Sequence, residues 1–441
     1  TNPRTAPKLP SVMMRPYFRV FHLALLTCRA RALRSLPSEE TIPEAGPYRQ
    51  RLENFQDSQY FGEITVGGQV LRAVVDTGSY ELVLFSRHCR TCAAAALYNE
   101  SASGLFVHGR RQRERTLGSG TCQTEDGRDE VRVGPLRAGN QSLWTAVQCE
   151  MAPLQEASFS AIVGLGPPEQ PLRSAEMLLE KLRSSEAENG TAGGGDLPEA
   201  TRKAMLSAQQ DIDDAPSRLA LVENLGITTF SACFGRQPGA PAWLVWNDTR
   251  PDGRGDAVTA AVVGKVSWAV RVANVGLNID IDASEPYVMG CETGCGALLD
   301  TGTSFLGVPT DIYTAVREHI MDNNNDCSDL RRFPTLTLII DGNVLYLPPD
   351  TYVGAMTGQV ASGLQDAVRT DHLGGAAGCQ LLLMDLGTEM TQFGPMLILG
   401  IPFFRYFRTT FDLGQGAAGR SLHFTPADEQ CRPAPPPAPA S

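Results

Sequence analysis

The sequence has little positive charge and few histidines. Its 38 lysines and arginines are outnumbered by 49 aspartates and glutamates, which leaves a formal net charge of −11. Such an acidic balance argues against a nucleic-acid partner. Six histidines scattered along 441 residues form no basic patch and no convincing metal cluster. The composition therefore disfavours nucleic-acid-binding proteins and histidine-rich metalloproteins.

Long apolar runs are also scarce. Residues 20–28 form a short apolar stretch behind Arg15 and Arg19, and residues 30–32 have the small-x-small pattern of a cleavage site. This pattern favours a signal peptide within a leader at 1–32, with a short amphipathic or disordered leader as the alternative. The stretch is too short to cross a bilayer, and no other stretch of the sequence is long and apolar enough to do so. We therefore expect no stable membrane span.

Eleven cysteines and several Asn-x-Ser/Thr sequons favour the secretory route. We therefore expect a secreted glycoprotein, or one in an acidic vacuole or lysosome-like compartment. Cys89 and Cys92 form a Cys-x-x-Cys pair, for which zinc binding is the competing interpretation, disfavoured by the distance to the next close pair. The predicted glycosylation sites are Asn99, Asn140, Asn189 and Asn247.

The tripeptide Asp-Thr-Gly occurs twice, each time at the end of an apolar run. The two copies with their successors are Asp76, Thr77, Gly78 and Ser79, then Asp300, Thr301, Gly302 and Thr303. Each copy is followed further along by two apolar residues and a glycine, at 162–164 and 398–400. One Asp-Thr-Gly is usually a capped turn. The matched flanks instead indicate two copies of one unit, each presenting a carboxylate.

From Tyr60 to Phe424 the chain resembles a pepsin-like aspartic protease. Residues 60–67 resemble the first strand of that family, 159–166 the strand that crosses beneath the first aspartate, and 397–400 a closing strand of the second lobe. The resemblance implies an all-β, bilobal fold, in which two pseudo-twofold related β-lobes enclose a cleft.

The resemblance also implies a chemistry. Asp76 and Asp300 would share a proton and activate water, since two adjacent carboxylates cannot both ionise readily. The expected supporting residues are Thr77, Gly78, Ser79, Thr301, Gly302 and Thr303. The predicted function is an acid endopeptidase that acts on peptides or unfolded proteins as a monomer, with no metal or organic cofactor.

The segment Leu117, Gly118, Ser119 and Gly120 resembles the flap that closes over substrate. The family usually has Tyr where this chain has Leu117, and Trp where it has Val83. A polar flap contact has thus become apolar. Leu117, Phe159 and Ile162 are the candidate residues beside the scissile bond.

Disulfides are expected mainly from the same resemblance. It implies a small loop closed by Cys291 and Cys295 and a larger one closed by Cys327 and Cys379. Cys89–Cys92 is predicted as a close pair. If Cys28 leaves with the leader, Cys122–Cys149 and Cys233–Cys431 remain by elimination.

Composition divides the chain into five parts. The prediction is a leader (1–32), a short pro-region of a zymogen (33–50), an N-terminal lobe (51–216), a C-terminal lobe (217–426) and a disordered Pro/Ala-rich tail (427–441). The N-terminal lobe carries an insertion, 168–216, expected to be exposed and mobile. Residues 184–216 are poor in large apolar groups, so we expect a protease-sensitive loop outside the cleft whose deletion leaves activity largely intact.

Two alternatives belong to other functional classes. A catalytically silent, pepsin-fold binding protein would have lost an aspartate, a turn glycine or a hydroxyl, and none is lost. An unrelated β-rich secreted adhesin is opposed by the paired downstream glycines.

Overall fold

The computed structural model describes residues 46–55, 57–92, 96–118, 120–151, 159–188, 198–251, 256–278, 286–322, 329–354 and 380–437. The predicted leader, most of the predicted pro-region, Ser119, Asn189, and the pair Cys327 and Cys379 lie outside these residues.

Strands dominate the described residues. In the first part of the chain they are β1 (Tyr48–Phe55), β2 (Gln59–Val66), β3 (Gln69–Asp76), β4 (Leu82–Phe85), β5 (Val107–Leu117), β6 (Gly120–Val133), β7 (Leu136–Met151) and β8 (Ala161–Gly164). In the second part they are β9 (Thr229–Phe234), β10 (Ala242–Trp246), β11 (Val258–Ala261), β12 (Ala269–Asn278), β13 (Tyr287–Gly290), β14 (Cys295–Leu299), β15 (Leu306–Val308), β16 (Thr335–Ile340), β17 (Asn343–Leu347), β18 (Val353–Gly354), β19 (Gln380–Leu381), β20 (Leu383–Asp385), β21 (Met390–Thr391), β22 (Gly394–Leu399), β23 (Phe407–Asp412) and β24 (Ser421–Pro426).

Helices are short or peripheral by comparison. The α-helices are α1 (Gln170–Glu188), α2 (Glu199–Asp214), α3 (Leu221–Asn224), α4 (Thr310–Asp322) and α5 (Ile401–Phe404). The 3₁₀ turns are Glu100–Ala102, Ala215–Ser217, Leu330–Arg332, Pro349–Thr351 and Ala417–Gly419. Among the described residues, no helix is both long enough and apolar enough to cross a membrane.

Two large sheets organise these strands. One runs in the order β11-β24-β23-β9-β10-β1-β2-β3-β8-β4-β7-β6-β5, and the other follows β17-β16-β12-β14-β22-β15-β20. Buried aliphatic and aromatic side chains from both sheets form the main core. This arrangement confirms the predicted all-β, bilobal pepsin-like fold.

The same local topology occurs once in each lobe. Strand β3 runs parallel to β8, so that Asp76 lies beside Gly164. Strand β14 runs parallel to β22, so that Leu299 lies beside Leu399. Each apolar-apolar-Gly segment therefore crosses beneath one Asp-Thr-Gly turn, as the duplicated pattern predicts.

The chain ends differ from the boundaries expected from composition. Strand β1 begins at Tyr48, inside the predicted pro-region, and pairs with β10 and β2. Ala427 and Cys431 are buried, and Cys431 is bonded to Cys233, although both lie in the tail predicted to be disordered. Burial of Ala427 and the disulfide between Cys431 and Cys233 attach residues 427–431 to strand β9.

The predicted insertion contains two helices, α1 and α2. Their helical character agrees with the apolar spacing in the first and the polar pattern in the second. The mobility expected of the second part stays a prediction, although in α2 Ala208 is buried and Asp211 pairs with strand β5. Ion pairs from Asp211 to Arg111 and Arg113 attach α2 to β5, a contact that the composition of the insertion does not predict.

Disulfides join Cys89 to Cys92, Cys122 to Cys149, Cys233 to Cys431, and Cys291 to Cys295. These pairings confirm four of the predictions. The Cys122–Cys149 bond joins the flap strand β6 to β7 near the flap tip, so the hairpin is covalently fixed on one side.

Candidate active site

The two Asp-Thr-Gly turns meet through their threonines. The Thr77 hydroxyl donates to the carbonyl oxygen of Leu299 (2.7 Å) and accepts from the Thr301 N–H (3.0 Å). The Thr301 hydroxyl donates to the carbonyl oxygen of Val75 (2.7 Å) and accepts from the Thr77 N–H (3.1 Å). These buried, reciprocal bonds lock the two turns together across the pseudo-twofold axis.

Each carboxylate is held by its own turn in the same way. The Gly78 N–H donates to Asp76 Oδ1 and the Gly302 N–H to Asp300 Oδ1, both at 2.8 Å. The Ser79 hydroxyl donates to Asp76 Oδ2 (2.5 Å), and the Thr303 hydroxyl to Asp300 Oδ2 (2.6 Å). The arrangement gives both side chains fixed orientations.

The turn glycines are required by the close approach of the opposite carboxyl group. A Cβ at Gly78 would lie 2.8 Å from Asp300 Cγ, and one at Gly302 would lie 2.7 Å from Asp76 Oδ1. Any side chain at either position would enter the space between the aspartates. The eight predicted dyad and support residues therefore form one site.

The electrostatics of the pair favour a retained proton. Burial raises the pKa of Asp76 well above its ordinary value, and the neighbouring Asp300 charge and hydrogen bond raise it further. The hydrogen bonds from Ser79 and Gly78 act in the opposite direction. A carboxyl group in this setting can hold a proton where an exposed aspartate would have lost it.

The predicted flap is the hairpin formed by β5 and β6. Leu117 pairs with Gly120 at its tip, and Gly120 has a φ of +152° with the Glu150 carbonyl oxygen 2.0 Å from where a Cβ would lie. Leu117 packs against an apolar cluster that contains Val83, Phe85 and Met151. The flap tip thus rests on apolar contacts, as the absence of the usual Tyr and Trp predicts.

Phe159 and Ile162 are buried in the same apolar cluster. Their exposed fractions are 4% and 7%, and the Phe159 ring stacks on Phe61 at a centroid distance of 5.6 Å. So little exposed surface leaves them a packing role beneath the flap and small scope for direct substrate contact.

The cysteines for which zinc binding was the competing interpretation lie close together. The sulfurs of Cys89, Cys92 and Cys149 all lie within 4.8 Å of one another. Each is bonded in a disulfide, and a disulfide sulfur is not the thiolate that zinc requires. The structure thus accounts for this cluster as two adjacent disulfides.

The predicted glycosylation sites differ in their surroundings. Asn140 is exposed. The side-chain oxygen of Asn99 accepts from the Ser101 N–H, and that of Asn247 accepts from the Thr228 N–H. Glycosylation of these residues stays a prediction.

Sequence reasoning missed a row of arginines on the flap. Arg111, Arg113 and Arg115 alternate along β5, and all three are half-buried while their neighbours are exposed. Arg115 pairs with Glu81 (2.7 Å), five residues after Asp76. The period-two spacing of the arginines was the available signal, because alternate strand residues share a face.

The chain is similar to known proteins over most of its length. A family model described as "Eukaryotic aspartyl protease" matches residues 59–187 and 250–421. The chain is 25% identical to gastricsin of Callithrix jacchus, with 83% of the chain and 82% of the relative aligned. It is 22% identical to pepsin A of Rhinolophus ferrumequinum (87% and 86% aligned) and 26% identical to cathepsin E-B of Xenopus laevis (83% and 80%).

Proposed function

Because the chain belongs to the eukaryotic aspartyl protease family, we propose that it is an endopeptidase in which Asp76 and Asp300 activate water. The observation that supports this most is the symmetric pair of turns, which aims two carboxyl groups at one another. Both are fixed by a glycine N–H and a hydroxyl. The substrate class is peptides or unfolded proteins.

The chemistry follows from one proton shared by two carboxyl groups. The ionised carboxylate accepts a proton from water as that water attacks the peptide carbonyl carbon. The protonated carboxyl group donates to the carbonyl oxygen, and a tetrahedral diol forms. Protonation of the amine nitrogen and collapse of the diol then break the C–N bond, and the dyad returns to its singly protonated state.

The raised pKa of Asp76 supports activity on the acid side of neutrality. The shared proton is retained over a wide acidic range and is lost when both groups ionise. Activity should therefore form a bell whose two limbs belong to the pair. The disulfides support synthesis through the secretory route, and we propose a monomer there.

Leu117, which stands where the family usually has Tyr, affects which substrates are preferred. Leu117 cannot donate the hydrogen bond that a tyrosine would supply, and its neighbours are apolar. We therefore expect apolar residues to be favoured beside the scissile bond.

A cleavage assay on a mixed peptide library across the acid range tests this function. Binding of a peptide isostere with a tetrahedral hydroxyl is measured on the same protein. Cleavage that the isostere blocks would support the endopeptidase. Isostere binding without cleavage at any pH would instead support the silent, pepsin-fold binding protein.

A further inference from the structure

The inserted helix α2 lies against the outer strand of the flap. Strand β5 is the last strand of its sheet, so β6 is its one strand neighbour among the described residues. A hairpin arm at a sheet edge has few backbone constraints and opens readily unless other contacts hold it. In this chain the additional contacts come from α2.

Asp211 is the centre of these contacts. Its Oδ1 accepts from Arg111 Nη1 at 2.7 Å and from Arg113 Nη2 at 3.0 Å. Arg111 also pairs with Asp214 and donates to the carbonyl oxygen of Gln210 (3.0 Å), and Arg113 donates to the Ser207 hydroxyl. The last two turns of α2 thus bind two flap arginines.

These pairs are more shielded than ordinary surface ion pairs. The Arg111 side chain is 17% exposed, whereas that of Asp211 is 40% exposed. An isolated exposed pair contributes little, but a network with a shared carboxylate and additional hydrogen bonds fixes geometry. The network therefore constrains where β5 lies.

The third arginine of β5 joins the flap to Glu81, which follows the candidate catalytic turn. Arg115 pairs with Glu81, and its guanidinium lies 4.2 Å from the centre of the Trp144 ring. Burial raises the pKa of Tyr80 to about 12, with the Glu81 charge next in effect and Asp211 adding to it. The third arginine of β5 thus contacts a residue five positions after Asp76.

The far end of the insertion is attached to the other flap strand. Arg218 pairs with Asp126 of β6 at 3.0 Å, and Arg128 of β6 donates to the carbonyl oxygen of Ser217 at 2.5 Å. Both arms of the hairpin therefore contact the segment from Ser207 to Arg218. That segment lies between the first and second lobes in the sequence and belongs to neither large sheet. The flap is therefore held by a part of the chain outside its own sheet.

We infer that Asp211 of α2 is a positioning residue for the flap, holding strand β5 against the body of the protein and limiting how readily the hairpin opens to a peptide. The consequence for turnover rests on the proposed function. The contact between Asp211 and strand β5 does not rest on that function, and its effect on the motion of the hairpin can be measured without any substrate.

Asp211→Asn is the principal test, with Asp213→Asn as its matched control. Both changes remove one charge from the same helix, but the exposed Asp213 accepts a hydrogen bond from Gln209 of its own helix and not from the flap arginines described above. We expect amide hydrogen exchange across β5 and the flap tip to rise by about three- to tenfold in Asp211→Asn. Exchange in Asp213→Asn should match the wild type, and Asp211→Glu should restore most of the protection.

Turnover provides a second readout. For a single peptide, Asp211→Asn should change KM by about three- to tenfold with little change in the shape of the pH profile, since the dyad is untouched. Arg113→Gln breaks the same contact from the strand side and should reproduce both effects. This second variant keeps the test decisive if Asp211→Asn does not fold.

The outcomes separate the two proposals. Unchanged flap exchange in Asp211→Asn and Arg113→Gln, with faster exchange confined to α2, would overturn the positioning role. Faster flap exchange in both variants would support it. If the wild type cleaves no peptide although flap exchange responds as expected, the contact stands and the endopeptidase proposal fails.

Discussion

At the scale of single residues, the threonine hydroxyls do as much as the aspartates to define the site. Each hydroxyl satisfies one strand carbonyl and one opposite N–H in a buried setting, so its loss would leave two buried groups unpaired. The sequence motif allowed the aspartates, glycines and hydroxyls to be predicted. It did not allow the raised pKa of Asp76 to be predicted, because that depends on burial and on a residue more than two hundred positions away.

The Asp76 pKa has a measurable consequence for stability. The native state keeps a proton that the unfolded chain loses near an ordinary aspartate pKa of about 4. The contribution of Asp76 to the free energy of unfolding is therefore fully present below that pH and is lost as pH rises through the raised pKa. Asp76→Asn removes this dependence, so its stability advantage over the wild type should grow from acid to neutral pH.

Urea unfolding at several pH values measures this difference. Asp213→Asn, which removes an exposed carboxylate, should keep the wild-type slope. Parallel pH dependences for the wild type and Asp76→Asn would show that Asp76 titrates normally.

At the scale of elements, the crossing strands and the flap hairpin determine where the site lies. The crossing strand β8 could be predicted, since its apolar-apolar-Gly pattern repeats in β22. The position of α2 could not, because its contacts join residues about 100 apart in sequence through side-chain charges. Helical spacing in the sequence predicts that a helix forms, but it does not show which strand that helix will contact.

Gly164 provides the element-scale prediction. A Cβ there would lie 2.4 Å from the Glu81 nitrogen and 2.5 Å from the Tyr80 carbonyl carbon, both backbone atoms. Gly164→Ala should therefore push β8 away from the turn that holds Asp76. We expect it to lower the free energy of unfolding by at least about 2 kcal/mol and to reduce turnover.

The matched control is Gly139→Ala on β7, where an added Cβ meets no atom within 4 Å. Its effect on stability should stay within about 0.5 kcal/mol. Equal effects of the two substitutions, measured by urea unfolding, would mean that close packing beneath Asp76 is not required.

At the scale of the whole molecule, the site exists only because two halves of one chain meet. Strand β1 joins β2 of the first lobe to β10 of the second, and the Trp268 indole N–H donates to the carbonyl oxygen of Leu165 (2.7 Å). The duplicated motif predicted two lobes, but not that β1 would begin at Tyr48, inside the segment assigned to a pro-region. The Pro/Ala-rich composition of residues 427–441 predicts disorder, whereas Ala427 is fully buried.

The central claim is that Asp76 and Asp300 act as one catalytic unit. The most direct test is turnover of one identified peptide by the purified wild type, Asp76→Asn, Asp300→Asn and the double variant. We predict that each single change lowers kcat/KM by at least about a thousandfold, and that the double change costs little more, since base and acid roles depend on the same proton. Turnover by Asp76→Asn close to that of the wild type would contradict the account.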